Sequence, residues 1–339
     1  MSNYYMLKTI NLSKQVNVSS AQDLENINTS YVSLSGCIDF CISAKEDFKK
    51  IKGKQIDYHA ILEDYIKIEG YKNVFECLDD IKGDITFNSL EFKLSKKVSK
   101  NNFQKIVDYI NSNKHYYYID FNISNVNIFS SEQLEILKKL KKEKKNVQIY
   151  LNVNQSYGCQ FEENNYNDNR YDFDELIEIK KKINEIISLI PKNSTDIEKA
   201  LFIYRYLGSI VVYDYDMAKE NHFGRIVSDR TSLYDVLINN KGVCSGIAMT
   251  LKEIILAAGL KCKSVGSFDH QWNVIEIDGK WYHMDLTWDL DNIKSGKRLQ
   301  YFLKSEKNIS KDESHICNTI YADKDKIATR SLVYTNSKK

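Results

Sequence analysis

The chain has 339 residues, of which 42% are hydrophobic and 28% are charged, a composition typical of a folded protein with more than one domain. Lys and Arg number 48 against 46 Asp and Glu, so the net charge of +2 gives no reason to expect nucleic acid or a membrane as a partner. The first 15 residues lack the apolar region of a secretory signal, and the seven cysteines are irregularly spaced, so we expect a cytoplasmic protein without a disulfide framework.

The N-terminal half predicts an α/β domain. Residues 31–42 have the composition of a strand, and the apolar spacing of residues 58–68 predicts a helix. Between residues 85 and 153, apolar periods of two and of three to four alternate, which predicts strands at 90–94, 116–123 and 147–153 separated by helices at 103–110 and 134–140. Such β-α-β-α-β order favours a parallel or mixed sheet. We find no internal repeat beyond these short units and no catalytic motif before residue 155.

A polar stretch separates the two halves of the chain. Residues 160–172 are rich in Asn, Glu, Asp and Tyr and have no apolar period, which is typical of a linker. We therefore predict an N-terminal domain at 1–160, a linker at 161–173 and a second domain at 174–339. The second domain begins with an amphipathic helix that Pro191 terminates, and Thr195 with Glu198 forms a capping box for the next helix.

Cys244 is the first candidate for chemistry. Apolar residues from Ala248 to Ala258 predict a helix that Gly259 ends, so Cys244 lies at the helix start, where free N–H groups and the helix dipole favour a thiolate. The same N–H groups could form an oxyanion hole, and the glycines at 242 and 246 would let a substrate backbone approach closely. Taken alone, a buried structural cysteine is the commoner interpretation.

His270 and Asp285 follow on a predicted hairpin. Asp278-Gly279 is a strong two-residue turn signal, and a type I′ turn would pair residue 277 with residue 280. In that register Asp285 faces Trp272 and His270 faces Thr287, which puts His270 and Asp285 on one face, roughly 7 Å apart on a diagonal. A thiol, an imidazole and a carboxylate within reach of one another form a candidate nucleophile, base and orienting group.

A metal site is the alternative use of the same hairpin face. His283 lies on that face with His270 and Asp285, and two histidines with a carboxylate can hold a metal ion. In the predicted register His283 faces Val274 in the hairpin interior, and no HExxH-type pair occurs. We therefore expect neither a metal nor a cofactor.

At these residues the sequence resembles the transglutaminase-like superfamily, a branch of the papain-like cysteine enzymes, in its bacterial form. The matching stretches are Gly242–Gly246, His270–Asn273 and Gly279–Trp288, joined upstream by Asp196–Ala200 and Val212–Asp214 and downstream by Tyr301–Leu303 and His315. The resemblance covers residues 172–320, about half of the chain. Three ordered motifs make it specific, whereas each motif alone would be weak.

The resemblance implies an α+β domain in which Cys244 heads a helix packed on an antiparallel sheet that carries His270 and Asp285. It implies acyl transfer through a Cys nucleophile, a His base and an Asp orienting group, with hydrolysis of a peptide or glutamine amide bond as the expected reaction. A cross-linking transglutaminase and a catalytically silent protein-binding module are the alternatives. The expected partner is a protein or peptide substrate, recruited by the N-terminal domain.

Overall fold

The computed structural model describes residues 38–40, 58–64, 70–81, 87–114, 117–153, 171–222, 233–317 and 321–333. The chain divides into two compact units, one of residues 1–154 with 163–177, and one of residues 155–162 with 178–339. Of the predicted linker 161–173, all but residues 171–173 lie outside the described residues, and the predicted domain bounds stay a prediction. No helix in the described ranges combines the length and apolar character needed to cross a membrane.

Five parallel strands form one sheet in the first unit, in the order in which they occur along the chain. They are β1 (Ile38–Phe40), β2 (Tyr58–Glu63), β3 (Phe87–Leu94), β4 (Tyr117–Ile123) and β5 (Val147–Val153). Leu62 pairs with Phe92, Phe92 with Phe121, and Phe121 with Leu151, so each partner lies twenty-nine or thirty positions further along the chain. The β-α units therefore stack at a regular spacing along the chain. The side-chain pattern of the sequence did not indicate this regular spacing.

Among the described residues of this unit, the helices with bounds before residue 154 are α1 (Cys77–Ile81), α2 (Lys100–Ser112) and α3 (Ser131–Glu143). Ser130 and Gln133 form a capping box at the start of α3. One face of the sheet is apolar, since the rings of Phe121 on β4 and Phe129 pack at 5.2 Å. The other face is polar: Asn152 donates to Asn122 at 2.9 Å, and Asn122 donates to Glu91 at 2.6 Å. This alternation accounts for the confirmed strand predictions.

Two expectations concern the start of the chain. The predicted helix at 58–68 is wrong, because residues 58–63 form β2, which pairs with both β1 and β3. The apolar spacing there matches a helix, but pairing on both edges of the strand overrides a local pattern. Of the predicted strand at 31–42, only 38–40 are described, and they form β1.

The second unit begins within α4 (Phe173–Ser188), which ends before Pro191 as predicted. The capping box of Thr195 and Glu198 is confirmed at α5 (Asp196–Ile210). The α-helices that follow in the described part of the chain are α6 (Tyr215–His222), α7 (Leu233–Leu237), α8 (Cys244–Ala257), α9 (Leu286–Lys294) and α10 (Glu306–Ile309).

Two small sheets position the candidate site. Strand β6 (Val212–Tyr213) pairs in parallel with β7 (Lys241–Gly242) directly before α8. Strands β8 (Cys262–Gly266), β9 (Gln271–Ile277) and β10 (Lys280–Met284) form an antiparallel sheet in the order β10-β9-β8. Helix α8 packs against β8 and β9 and also against α5 and α9, so it is buried on nearly all sides. The unit is thus a mixed helix and sheet structure around a central helix.

Candidate active site

Cys244 is the first residue of α8, and its side chain is half-buried. The N-cap residue Val243 supplies no side-chain hydrogen bond to the first turn. The first intrahelical bond runs from the Ile247 N–H to the Val243 carbonyl at 3.0 Å, so the N–H groups of Cys244, Ser245 and Gly246 have no acceptor within the helix. Their partial positive charge favours a thiolate at the helix start.

Gly242 leads the chain into this helix. A Cβ atom on Gly242 would lie 2.6 Å from Cγ2 of Val236 in α7, which is closer than two carbon atoms can approach. Glycine is therefore needed to pack β7 against α7. Gly242 thus serves internal packing, and the expected approach of a substrate backbone stays a prediction.

His270 stands directly before β9. The N–H of Ser267 donates to the His270 carbonyl at 2.9 Å and closes the turn that follows β8. Three residues beyond His270, the buried Asn273 side chain donates from Nδ2 to the Ala248 carbonyl of α8 at 2.8 Å. The strand that follows His270 is thereby hydrogen-bonded to the helix that begins at Cys244, which gives the Asn of this motif a structural role.

The hairpin between β9 and β10 has the predicted turn and register. Asp278 and Gly279 have φ values of 49° and 75°, both positive as a type I′ turn requires. The pairing runs from Ile277 with Lys280 to Asn273 with Met284. The sequence therefore predicted the geometry of the two strands that separate His270 from Asp285.

The extension of that register to Asp285 is wrong. Asp285 does not pair with Trp272, because the chain leaves the sheet after Met284 and Asp285 becomes the N-cap of α9. Its Oδ1 accepts from the Trp288 N–H at 3.2 Å, and Thr287, the expected partner of His270, lies within the helix. A capping aspartate at this position is typical of a helix start, and it fixes the carboxylate more firmly than a strand position would.

His270, Asp285 and Cys244 are brought together. Nε2 of His270 lies 2.6 Å from Oδ2 of the fully buried Asp285, and the thiol of Cys244 is the second hydrogen-bond partner of the imidazole. Because the carboxylate occupies Nε2, the thiol faces Nδ1. An ionised carboxylate only accepts hydrogen bonds, so Nε2 carries a proton, and Nδ1 is the ring atom left for the sulfur.

The protonation of the site follows from these contacts. Burial of His270 opposes its protonation, but hydrogen bonds with Asp285 and Cys244 outweigh burial and raise the pKa of His270 to about 10. Burial also acts to raise the pKa of Asp285, yet hydrogen bonds from His270 and His315 outweigh it and hold that pKa below its ordinary value. At neutral pH the site therefore stabilises a protonated His270 beside the ionised carboxylate of Asp285.

His315 binds the same carboxylate oxygen. Its Nε2 lies 2.7 Å from Oδ2 of Asp285, and the ring stacks on Tyr301 at 5.2 Å and meets Trp288 edge-on at 4.6 Å. The carboxylate of Asp289 accepts from the Tyr301 N–H at 2.9 Å and so holds that stacking partner. In the sequence, His315 stands out only as a downstream match of the family resemblance. It lies 30 residues from Asp285, so no helical or strand period predicts the contact.

Tyr213 is a second neighbour that the sequence did not assign to the site. Burial and the negative charge of Cys244 raise the pKa of Tyr213 to about 12, so a neutral phenol stands near the sulfur. Its ring meets Tyr215 at 5.0 Å, and Tyr215 is itself largely exposed. Only the pairing of Tyr213 with Gly242 across two short strands brings it here.

Two large apolar side chains near the imidazole are exposed to solvent. Phe268, two residues before His270, is 99% exposed, and Trp288 is 37% exposed with its ring 5.8 Å from the imidazole. A single exposed apolar side chain is common on a protein surface, but the ring of Trp288 also lies beside the imidazole of His270. They give the surroundings of the candidate nucleophile an apolar character.

His283 lies in a separate hydrogen-bond network. Trp272 Nε1 donates to its Nδ1 at 2.9 Å, while its Nε2 contacts Glu306 Oε2 at 2.7 Å and the Tyr321 hydroxyl at 3.0 Å. Both ring nitrogens are occupied, so His283 orients Trp272, whose ring stacks on His270 at 5.6 Å. His283 is therefore hydrogen-bonded to a different set of partners from His270 and Asp285.

A different trio could supply metal ligands. One ligand atom each from His270, Asp285 and His315 lies within 4.8 Å of the others. Both Nε2 atoms lie within hydrogen-bond distance of one carboxylate oxygen, so a metal ion would have to replace these two contacts.

Comparisons with known proteins match part of the chain. No family model matches it. Kyphoscoliosis peptidase of Mus musculus is 27% identical over 131 residues, 33% of this chain and 19% of that protein, and the Homo sapiens protein is 27% identical over 128 residues, 32% and 18%. A solved structure described as a TGase has a TM-score of 0.32 and 20% identity over 34% of this chain and 33% of that chain. The chain spans about a fifth of the length of the curated relatives that it matches, and the similarity covers about a third of this chain.

Proposed function

We propose that the C-terminal unit catalyses thiol-dependent acyl transfer, and that the overall reaction is hydrolysis of a peptide or glutamine amide bond. The single observation that carries the proposal is the 2.6 Å contact between His270 and Asp285, with Cys244 as the other partner of the same imidazole. A buried imidazole that is hydrogen-bonded to both a carboxylate and a thiol has no evident structural use, and it matches the requirements of an activated nucleophile.

In the first half of the reaction, the sulfur of Cys244 attacks the carbonyl carbon of the amide. Nδ1 of His270 holds the proton that the thiol has given up, and the C–S bond forms as the carbonyl oxygen becomes an oxyanion. When the tetrahedral intermediate collapses, His270 returns the proton to the departing nitrogen. An amine leaves and a thioester remains on Cys244.

In the second half, water takes the place of the amine. His270 removes a proton from the water, the hydroxide attacks the thioester, and the thiol is regenerated with release of an acid. A lysine amine in place of water would form a cross-link by the same steps. The similarity to proteins described as peptidases supports water as the acceptor.

The oxyanion needs donors, and the start of α8 offers them. The N–H groups of Cys244, Ser245 and Gly246 have no acceptor within the helix and lie at its positive end. One such donor contributes on the order of 10²- to 10³-fold to the rate of acyl transfer. Asp285 remains ionised throughout and stabilises the imidazolium that forms when His270 takes a proton.

We propose a protein or peptide as the substrate, recruited by the N-terminal unit. The exposed rings of Phe268 and Trp288 near His270 suit an apolar side chain beside the attacked carbonyl. The polar face of the parallel sheet, with its ladder of Glu91, Asn122 and Asn152, suits contacts with a polypeptide.

The test is a screen of the full chain against peptide mixtures and an unfolded protein, read by mass spectrometry for new chain ends and for deamidated glutamine. We expect one of these products with wild-type protein and none with Cys244→Ala or His270→Ala. A labelled primary amine in a parallel reaction distinguishes cross-linking from hydrolysis. Products that persist in Cys244→Ala would exclude this nucleophile, and absence of products together with an unreactive thiol would favour a protein-binding module.

A further inference from the structure

We propose that His315 is a positioning residue of this site, which fixes the shared oxygen of Asp285 and so sets how the carboxylate holds His270. The proposal rests on the proposed function, since it concerns the same catalytic groups. Oδ2 of Asp285 lies 2.6 Å from Nε2 of His270 and 2.7 Å from Nε2 of His315. One oxygen therefore serves two imidazoles.

The proton on His315 follows from this sharing. The pKa of Asp285 is held below its ordinary value, opposing its burial, by the hydrogen bonds from His270 and His315, so its carboxylate is ionised and accepts from both rings. His315 must then carry its proton on Nε2. Its Nδ1 is buried and has no hydrogen-bond partner, and the nearest acid, Asp312, is 4.0 Å away. The hydrogen bond of His315 to Asp285 is therefore made through Nε2 alone.

The ring of His315 is held on several sides. Tyr301 stacks on it at 5.2 Å, while Trp288 and Trp272 meet it edge-on at 4.6 and 5.1 Å. His315 is fully buried, and Asp289 holds the backbone of Tyr301 at 2.9 Å. This packing leaves the imidazole little freedom to turn away. A rigid donor of this kind keeps the carboxylate in one orientation as the charge on His270 changes during the reaction.

Sharing one oxygen also weakens its hold on each donor. Without His315, Oδ2 would accept from His270 alone and would stabilise the imidazolium more strongly. Other titratable groups surround the imidazoles of His270 and His315. They are Cys244 on α8, Tyr213 on β6, Asp285 and Asp289 at α9, Tyr301 before α10 and Asp312 beside His315. None of the other groups donates a hydrogen bond to Oδ2 in the described residues.

The experiment reads the charge of His270 through its effect on two alkylating agents. Iodoacetate is an anion that an imidazolium attracts, whereas iodoacetamide is neutral, so the ratio of their rates at Cys244 falls as His270 loses its proton. The ratio is measured against pH by peptide-resolved mass spectrometry, up to about pH 10.5, in wild type, His315→Phe and His315→Gln. Phe keeps a ring without a donor, and Gln restores a donor near the position of Nε2.

We expect the fall in the ratio to move to higher pH by about one unit in His315→Phe and to return to the wild-type position in His315→Gln. Phe302→Leu serves as a packing control, because it removes buried volume beside Tyr204 without a hydrogen bond to the carboxylate, and it should leave the midpoint unchanged. Superimposed curves for wild type and a folded His315→Phe protein would overturn the proposal, as would a Gln variant that behaves like Phe.

A second measurement needs no substitution. In wild-type protein with ¹⁵N-labelled histidine, we expect His315 to carry its proton on Nε2, with a low-field signal that marks the bond to Asp285. A proton on Nδ1 with a bare Nε2 would overturn the proposal even if the His315→Phe protein failed to fold. Neither readout needs substrate turnover, so an inactive protein with this tautomer would contradict the proposed function and leave the role of His315 supported.

Discussion

Replacing Asp285 with Asn is expected to remove most of the reactivity of Cys244 at neutral and mildly acid pH. Asp285 is the partner of His270 at 2.6 Å and the N-cap of α9 through the Trp288 N–H at 3.2 Å. An amide keeps the shape of the carboxylate but has only one acceptor oxygen. Whichever way it is oriented, its NH₂ group faces an N–H donor, either at Trp288 or at the two imidazoles.

The magnitude follows from the lost charge-assisted hydrogen bond. Such a bond contributes about 1.5–3 kcal/mol, which corresponds to a fall of roughly one to two units in the pKa of His270. The equilibrium between the imidazolium–thiolate and imidazole–thiol forms then falls by about 10- to 100-fold. Burial lowers the pKa of His270. Once Asp285 is replaced, the contact with Cys244 is the one among the described residues that still opposes this effect.

The assay is the rate of iodoacetamide labelling of Cys244 at about pH 6, where an unperturbed thiol is almost unreactive. We expect Asp285→Asn to lower that rate by about 10- to 100-fold and to approach wild type above about pH 9. Asp312→Asn is the matched control: its oxygen caps the Ser314 N–H at 3.1 Å, but it lies 4.0 Å from His315 and makes no contact with His270. If Asp285→Asn labels at the wild-type rate, or if Asp312→Asn loses as much, then Asp285 does not activate Cys244 through His270.

Three further predictions concern the support of the site. Asn273→Ala should lower the free energy of unfolding by about 1–3 kcal/mol in urea melts, because the buried Ala248 carbonyl loses its donor, and an unchanged midpoint would contradict that role. Gly242→Ala should cost about 1–3 kcal/mol through its contact with Val236, and adding Val236→Ala should recover part of the loss if the clash is the cause. Phe268→Ala should leave the melting temperature nearly unchanged, since the side chain is 99% exposed, and should raise KM for peptide substrates; an unchanged KM would remove Phe268 from substrate binding.

The hairpin shows what local sequence can predict. Asp278-Gly279 predicted the type I′ turn and the strand register, because two adjacent residues with positive φ select that turn. The predicted register is wrong one residue beyond Met284. Strand β10 ends there, because the capping preference of aspartate and the helix that follows determine the backbone at Asp285.

Contacts between distant parts of the chain gave no such signal. His315 reaches Asp285 from a short 3-10 turn, and Tyr213 reaches the surroundings of Cys244 through a two-residue strand, so neither belongs to a periodic pattern. The parallel stack of the N-terminal unit likewise repeats in backbone register while its side chains vary. The apolar spacing of residues 58–68 fits a helix. Pairing with the two neighbouring strands makes residues 58–63 strand β2 instead.

The most direct test of the central claim is the pH dependence of Cys244 alkylation in wild type and in His270→Ala, from about pH 5 to about pH 9. Cys317, half-buried in the same unit, provides an internal reference in every sample. We expect Cys244 to be labelled much faster than Cys317 at about pH 6, and we expect His270→Ala to abolish the difference. Labelling of Cys244 that rises only near pH 8.5, as for an ordinary thiol, and that ignores the His270 substitution would contradict an activated thiol–imidazole pair.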